Sequence, residues 1–290
     1  MNIALTGSSG LIGSNFAEDL KKAGHAILRI SSSNTDHKEH IYSYNEIKSL
    51  KLSINVDCII HLASINSNLT QEEITLEVAL AKTVIDLMEI LDCKRIIFFS
   101  TIKVYGDNSF ERNIFTEDSN LDPICDYGKA KLECESVITQ YSEKKHINYT
   151  ILRMPPLMIN NPKSNLGILF KLVQKSIPIP TFKIGNNNQR SFLSYNFLFS
   201  VVQAMLLDDQ GKSTNEIFNV SDSEPISTND LFRRIGINLN KKVWLIYLPN
   251  FIFKFMMSIN RLQLILIRLY GNFYISNAKL KEAFSIQDSI

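Results

Sequence analysis

Hydrophobic residues along the first 150 positions occur in two alternating patterns. Short, almost continuous apolar runs, such as 58–60 and 96–99, are typical of strands that helices cover on both faces. Between them lie longer stretches with helical patterning. This alternation predicts a parallel sheet built from β-α-β units. The predicted strands are 2–6, 26–30, 56–62, 95–100 and 149–153, and the predicted helices are 11–23, 74–91 and 127–141.

The regular alternation stops after Arg153. Prolines occur at positions 155, 156, 162, 178 and 180, and the run GNNN at 185–188 is a strong turn signal. We therefore divide the chain near residue 160 and expect a smaller second region over 161–290. Elements around 192–207 and 217–220 are expected to return to the first sheet.

Composition narrows the class of protein without naming an activity. The chain has 290 residues, 45% hydrophobic and 21% charged, which is typical of a globular protein and not of a disordered or fibrous one. Its net charge of +2 gives no indication of nucleic-acid binding. No signal peptide precedes the first predicted strand, so a cytoplasmic location is expected. Free thiols are expected, without disulfides or a metal site, because no Cys-x-x-Cys pair or Cys/His cluster occurs among Cys58, Cys93, Cys125 and Cys134.

One apolar segment near the C-terminus has two interpretations. Residues 243–259 and 262–269 are rich in apolar and aromatic side chains, which indicates helices packed within the second region. The alternative is a peripheral patch that docks on a membrane or on an oligomer partner. A transmembrane span is not expected, because the segment is interrupted before about 20 apolar residues accumulate, at Pro249, Asn250, Lys254, Asn260 and Arg261.

A glycine-rich loop follows the first predicted strand and opens the first predicted helix. The run TGSSGLIG at 6–13 has the spacing G-x-x-G-x-x-G, which suits a tight turn, close backbone approach to a pyrophosphate and close packing of helix on sheet. We therefore predict a Rossmann fold, with a dinucleotide-binding domain over 1–160 and a mainly substrate-binding region over 161–290. The cofactor contacts expected in this loop are Gly7, Ser9, Gly10, Leu11, Ile12 and Gly13.

The second predicted strand lacks the acidic residue that binds the ribose of NAD in this fold. Ser31 stands in its place and Ser32 follows. A carboxylate there would repel a 2′-phosphate, whereas hydroxyl and amide groups can accept one. The sequence therefore favours NADP(H) over NAD(H), and both serines are predicted to contact the cofactor.

Tyr127 and Lys131 are four positions apart on a predicted helix and so lie on one face of it. An ammonium one turn away, with a nicotinamide cation beside it, favours the phenolate and lowers the pKa of a tyrosine, which is otherwise near 10. Ser100 and Thr101 end a buried predicted strand, where α/β folds build their sites. One of these hydroxyl groups is expected to contact the substrate oxygen that Tyr127 protonates.

Together these motifs resemble the extended short-chain dehydrogenase/reductase family, also known as the NAD-dependent epimerase/dehydratase family, which acts mainly on nucleotide sugars. The matching pieces are TGSSGLIG (6–13), DCIIHLA (57–63), FSTIKVYG (99–106), YGKAK (127–131) and LRMPP (152–156). The resemblance covers nearly the whole chain. It implies a UDP-sugar substrate and a homodimer formed by the helices at 74–91 and 127–141.

The resemblance also implies roles for individual residues. Thr101 fills the catalytic Ser/Thr position, Tyr127 is the acid–base residue, and Lys131 orients the nicotinamide ribose. Ala79 stands where an asparagine often supports the site. The remaining implied contacts are Asp57 near the adenine, Leu62, Ala63 and Ser64 along the cofactor, and Asn165 and Arg190 on the substrate diphosphate.

The residues after Thr101 limit which of the family's reactions this chain can catalyse. Ile102 and Lys103 cannot supply the acid and base of a 4,6-dehydratase, and the cysteine that the family's 3,5-epimerases use does not follow Thr101. A 4-ketoreductase and a 4-epimerase remain. The NADP(H) preference favours the reductase. The stretch 165–191 resembles that of enzymes making 6-deoxy-N-acetylhexosamine nucleotides for bacterial surface polysaccharides, which implies a UDP-4-keto-6-deoxy-N-acetylhexosamine as the substrate. The alternatives are an NAD-dependent 4-epimerase of a UDP-hexose or UDP-N-acetylhexosamine and a non-catalytic cofactor-binding scaffold.

Overall fold

The computed structural model describes residues 1–32, 35–50, 55–65, 70–159, 165–222 and 224–286. The strands in these ranges are β1 (Asn2–Thr6), β2 (Ala26–Ile30), β3 (Ile41–Tyr42), β4 (Cys58–His61), β5 (Arg95–Thr101), β6 (Ile114–Phe115), β7 (Asn148–Met154), β8 (Ile179–Thr181), β9 (Glu216–Asn219), β10 (Leu245–Tyr247) and β11 (Tyr274–Ile275).

Seven of these strands form one parallel sheet, in the spatial order β3-β2-β1-β4-β5-β7-β9. The chain winds outward from β1 in one direction to β3, and from β4 in the other direction to β9. The crevice between β1 and β4, at the carboxyl ends of the strands, is where such sheets bind ligands. The predicted doubly wound α/β fold is confirmed.

Helices cover both faces of the sheet. They are α1 (Leu11–Lys22), α2 (Tyr44–Leu50), α3 (Gln71–Ile90), α4 (Asp126–Lys145), α5 (Asn165–Gln174), α6 (Tyr195–Leu206), α7 (Thr228–Asn238), α8 (Asn250–Met257), α9 (Asn260–Tyr270) and α10 (Ala278–Phe284). One core layer joins α1, α6 and α10 to the sheet. The other layer joins α2, α3 and α4 to the opposite face. None of the helices described is long and apolar enough to cross a bilayer.

The two long helices that carry site residues have well-defined ends. Thr70 and Glu73 form a reciprocal capping box, so α3 begins at Gln71, three residues before the predicted start. At its C-terminus α4 runs to Lys145 and ends where His146 adopts the left-handed conformation, with φ of 53°.

The second part of the chain contributes to the central sheet and also forms a smaller cap. β9 pairs with β7 at the sheet edge, so the sheet includes a strand from beyond residue 160. Two further clusters pack outside the sheet: α5 and α7 form one, and α8 and α9 enclose Phe182 in the other. β8 pairs with β10, and β6 pairs with β11. The domain boundary near residue 160 stays a prediction.

Candidate active site

The loop between β1 and α1 forms a cradle at the carboxyl edge of the sheet. Gly7 has a positive φ of 70°, and a side chain at Gly13 would overlap the carbonyl oxygen of Gly7, so both positions require glycine. Gly10 precedes α1 without a side-chain cap, and the first turn of α1 carries no acidic residue. The first backbone N–H groups of α1, from Leu11 onward, are therefore available to an anionic pyrophosphate.

The end of β2 meets this loop through hydroxyl groups. Ser31 is buried and its Oγ lies 3.2 Å from Ser9 Oγ, whereas Ser32 is exposed. Arg29 adds a cation, because its Nη2 donates to the carbonyl oxygen of Ser8 at 3.1 Å. The Arg29 Nε is buried and has no hydrogen-bond partner in the part of the chain described. The end of β2 therefore borders the cradle with hydroxyl groups and a cation.

Asp57 does not join this site, which corrects the expectation that it lies near the adenine. Its carboxylate accepts a hydrogen bond from the backbone N–H of Asn2 at 2.7 Å. Asn2 begins β1 and Asp57 directly precedes β4, so this contact lies at the amino edge of the parallel sheet. The cradle lies at the carboxyl edge. The motif matched the family in sequence, but its acidic residue faces away from the cofactor side.

The segment after β4 borders the cradle. The Ala63 N–H donates to Thr6 Oγ1 at 3.3 Å, and a side chain at Gly7 would press on the backbone of Leu62 and Ala63. Ser64 follows and is exposed. Leu62 and Ala63 thus border the glycine loop, and the contacts of Leu62, Ala63 and Ser64 with a cofactor stay a prediction.

Ser100 and Thr101 separate into two roles at the end of β5. The Ser100 hydroxyl donates to Glu135, whose carboxylate also pairs with Arg153 at 2.7 Å. Ser100 therefore belongs to a buried structural network. Thr101 is 7% exposed, and among the residues described its hydroxyl accepts a single long hydrogen bond, 3.3 Å, from the N–H of Lys103. Of the two hydroxyl groups, that of Thr101 is thus the less engaged, and its contact with a substrate stays a prediction.

A glycine on α4 brings Thr101 and Tyr127 to the same place. A side chain on Gly128 would lie 2.5 Å from the carbonyl oxygen of Lys103, in the 3-10 turn that follows Thr101. That turn therefore packs directly on the first turn of α4. Tyr127 is half-buried there, and the Nζ of Lys131 lies 5.9 Å from the centre of its ring. The structure thus joins the three predicted catalytic residues at the carboxyl edge of the sheet.

Glu77 on α3 completes this group of side chains. Its carboxylate lies 2.9 Å from the Nζ of Lys131, and the two side chains are 2% and 3% exposed. Its other carboxylate oxygen accepts the backbone N–H of Ile65 at 2.8 Å. Ala79, by contrast, is exposed and faces away from the site. The long helix therefore supports the site through the carboxylate of Glu77, two positions before Ala79, where the family resemblance implied the supporting side chain.

Burial dominates the electrostatics of the site. The pKa of Tyr127 is raised because burial penalises the phenolate; Lys131 opposes this shift and Glu77 adds to it. The sequence predicts a lowered pKa from Lys131 together with a bound nicotinamide cation, and the protein side chains by themselves do not lower it. The pKa of Lys131 is also raised, because Tyr127 and Glu77 together outweigh the cost of burying its ammonium. Lys131 is therefore charged at neutral pH.

The predicted substrate residues lie in the second part of the chain. Arg190 bonds through its backbone to Ile226, and its Nη1 donates to the carbonyl oxygen of Leu269 at 3.4 Å. Burial lowers its pKa to about 10, against the attraction of Asp107, so the guanidinium stays charged at neutral pH. None of the described carboxylates forms an ion pair with it. Asn165 begins α5, and its side chain lies outside what the structure describes.

Two functional residues escaped the sequence reasoning, although each had a detectable signal. Glu77 shares the buried stripe of α3 with Ala81, Val84 and Met88, at helical spacing, and an acid on an apolar stripe indicates a buried partner. Arg29 is a cation inside an otherwise apolar strand, two positions before Ser31.

Comparison with known proteins agrees with this geometry. Residues 3–221 match the model of the NAD dependent epimerase/dehydratase family, and the chain belongs to that family. A UDP-glucose 4-epimerase of Vibrio cholerae is 29% identical, over 97% of this chain and 89% of its own. A dTDP-4-dehydro-6-deoxyglucose reductase of Escherichia coli is also 29% identical, but over 52% of this chain and 47% of its own.

Solved structures share the fold at lower identity. A UDP-N-acetylglucosamine 4-epimerase from Bacillus cereus superposes with a TM-score of 0.77 at 20% identity, covering 100% of this chain and 94% of that one. A UDP-glucuronic acid 4-epimerase from Bacillus cereus in complex with NAD gives a TM-score of 0.75 at 19% identity, with the same coverage. The Rossmann-type arrangement of this chain is therefore that of nucleotide-sugar epimerase structures.

Proposed function

We propose that this chain catalyses the 4-epimerisation of a UDP-hexose or UDP-N-acetylhexosamine with a nicotinamide dinucleotide. The observation that carries the proposal is the match of almost the full chain to a UDP-glucose 4-epimerase, together with a Thr101–Tyr127–Lys131 site beside the dinucleotide cradle. The reductase that the sequence favoured has a relative matching only half of the chain.

Each side chain of the site has a task in this reaction. A bound nicotinamide supplies the hydride acceptor and donor at sugar C4. Tyr127, as phenolate, takes the proton of the 4-hydroxyl and later returns it to the alkoxide. Thr101 holds the same oxygen by a hydrogen bond. The Lys131 ammonium stabilises the phenolate, and Glu77 fixes the position of Lys131.

The residues near Thr101 support chemistry confined to C4. Ile102 is buried, and Lys103 is bound by Asp107 in an ion pair. Neither is placed to act as a second acid–base pair at C5 and C6. Arg190 is the candidate clamp for the UDP diphosphate, since guanidinium groups suit bidentate phosphate contacts. A homodimer through α3 and α4 is part of the same proposal.

A second candidate is the NADPH-dependent 4-ketoreductase, and one feature favours it. Ser9, Ser31 and Arg29 surround the adenosine end of the cradle with hydroxyls and a cation. This environment suits the 2′-phosphate of NADP(H), so we propose NADP(H) as the preferred cofactor. A reductase exchanges its cofactor in each cycle, whereas an epimerase returns the hydride and regenerates it.

The test is to supply the purified protein with UDP-glucose and UDP-N-acetylglucosamine and to follow the C4 epimers by chromatography. We expect epimer formation without net NAD(P)H oxidation. The nucleotide released on denaturation identifies the bound cofactor. Consumption of NADPH with a UDP-4-keto-6-deoxyhexosamine, and no epimer from either sugar, would show the reductase instead.

Tyr127→Phe provides the matched control for catalysis. Loss of the phenol should reduce turnover by about 10²–10⁴-fold while leaving cofactor binding intact, because the ring still packs in place. Cofactor affinity can be measured by fluorescence titration of NAD(P)H. Wild-type turnover in this variant would remove Tyr127 from the mechanism, and loss of turnover would exclude the non-catalytic scaffold.

A further inference from the structure

The helices α8 and α9 carry apolar side chains on their outer faces. On α8, Phe251 and Phe255 are 70% and 66% exposed, and their i, i+4 spacing puts them on one face. On α9, Leu264 and Ile265 are 58% and 49% exposed. Trp244, the only tryptophan of the chain, directly precedes β10, the strand before α8, and is 56% exposed. We call these five residues the cap surface.

The cap surface is not needed for the packing of its own helices. The inner faces of α8 and α9 already form a cluster in which Ile252, Phe253 and Met256 pack around Phe182, Leu266 and Tyr270. Phe253 makes edge-on ring contacts with Phe182 at 5.0 Å and with Tyr270 at 6.3 Å. Both helices are thus anchored from within, and the outer aromatic residues are additional to that core.

Positive charge surrounds the cap surface. The sequence has no aspartate or glutamate between Asp230 and Glu282. Arg261, exposed, lies one turn before the Leu264–Ile265 pair on α9, and Lys254 lies between the two phenylalanines of α8. Arg268, also exposed, lies one turn after that pair. Against the effect of burial, Lys103 and, more weakly, Arg268 lower the pKa of the Asp107 carboxyl, so the charge of Arg268 is partly compensated. The ammonium of Lys242 lies 4.4 Å from the centre of the Trp244 ring. Apolar and aromatic side chains among cations are typical of segments that lie in the interface of an anionic membrane.

We propose that the cap surface docks the protein peripherally on an anionic lipid bilayer. Phe251, Phe255 and Trp244 enter the headgroup region, and the flanking cations contact acidic headgroups. Charge favours a bilayer over a second copy of this chain, because a symmetric contact would bring the same cations face to face. The proposal does not depend on which reaction the site catalyses.

Docking in this way would keep the site close to the bilayer. The Phe253 ring, on the inner face of α8, contacts Phe110 in the loop that follows the Thr101 turn, at 6.0 Å. The carbonyl oxygen of Leu269 on α9 accepts a hydrogen bond from Arg190. The helices that carry the cap surface therefore pack directly against residues on the substrate side.

The test uses the full chain with vesicles of phosphatidylcholine alone or mixed with phosphatidylglycerol. We expect sedimentation with the mixed vesicles only, a blue shift of the Trp244 fluorescence on binding, and weaker binding as salt is raised. The variant Phe251→Ser/Phe255→Ser should bind at least about tenfold more weakly. Lys254→Glu/Arg261→Glu should also lose binding to mixed vesicles.

Leu207→Ser is the matched control, because Leu207 is 70% exposed outside the cap surface and should leave binding unchanged. Circular dichroism and thermal unfolding verify that each variant is folded. Absence of binding to mixed vesicles, or equal binding to both vesicle types, would overturn the proposal. Concentration-dependent dimerisation that Phe251→Ser/Phe255→Ser abolishes, without vesicle binding, would assign the cap surface to a second copy instead.

Discussion

Among single residues, Glu77 adds a second buried charge to the site, opposite in sign to that of Lys131. Its carboxylate pairs with Lys131, and both side chains are almost wholly buried. A buried ion pair of this kind is costly to break, because removing one partner leaves the other charge without compensation. The same carboxylate raises the pKa of Tyr127, since a second negative charge disfavours the phenolate. Glu77 thus holds Lys131 in place and makes the phenolate harder to form.

Glu77→Gln separates these two effects. The amide keeps the shape and a hydrogen-bond acceptor for Lys131 but removes the negative charge. With that charge gone the pKa of Tyr127 falls, so the limb of the pH–rate profile that rises with deprotonation should move to lower pH. Stability should fall by about 3–5 kcal/mol, because the Lys131 ammonium stays buried without a carboxylate. The measurements are kcat against pH and thermal unfolding.

Glu73→Gln is the control, because Glu73 lies on the same helix and makes only the capping box with Thr70. Glutamine also serves at this position of a capping box, so the variant should change stability little and leave the pH profile in place. If Glu77→Gln lowers stability but its pH limb coincides with that of the wild type, Glu77 has a structural role only.

Among the elements, the contact of α4 with the turn after β5 decides the geometry of the site. Gly128 allows the first turn of α4 to touch the carbonyl of Lys103. Glycine inside a helix is unfavourable by about 1 kcal/mol relative to alanine, so its presence here requires a packing reason. The reason is the close approach of α4 to the turn that follows Thr101.

Gly128→Ala has two opposed effects: alanine favours the helix, but its side chain disturbs the packing of α4 on the turn after β5. The new Cβ would lie 2.5 Å from the backbone oxygen of Lys103, which forces α4 and the turn apart. We expect kcat to fall at least about tenfold, since small displacements of catalytic groups are costly. Ser136→Ala, on the exposed side of α4, is the control and should leave kcat unchanged. A Gly128→Ala variant with wild-type kcat and raised stability would show that helix propensity prevails.

Sequence patterning predicted the elements of the sheet better than their contacts. Strand 26–30 agrees with β2 in both bounds, because a run of apolar residues between turn signals fixes it locally. The side on which Asp57 lies depends on the direction of β4 beside β1, which no local pattern contains. The partner of Lys131 depends on how α3 packs against α4, and this too is set by the tertiary structure. The short elements of the second part, such as β8 and β10, pair over long separations and left no local pattern.

Across the whole molecule, a buried polar network ties the two parts of the chain together behind the site. Arg153 on β7 pairs with Glu135 on α4, and its Nη1 donates to the Tyr105 hydroxyl at 3.0 Å. That hydroxyl donates to Asn219 on β9 at 2.8 Å. Ser100, next to Thr101, donates to the same Glu135. The strand end that presents Thr101 is therefore fixed to α4, β7 and β9 at once.

Replacing only Glu135 should lower the free energy of unfolding more than replacing both Glu135 and Arg153. Glu135→Leu leaves the Arg153 guanidinium, 3% exposed, without a carboxylate, and should lower the free energy of unfolding by about 3–5 kcal/mol. In the double variant Glu135→Leu/Arg153→Met no charge stays buried and unpaired, so much of that loss should be recovered. Urea unfolding of both variants and of Arg153→Met measures the coupling. Additive losses in the double variant would show that the two side chains contribute independently. A recovered stability with reduced kcat would show that the pair is retained because it positions Thr101, even though apolar packing could hold the fold as well.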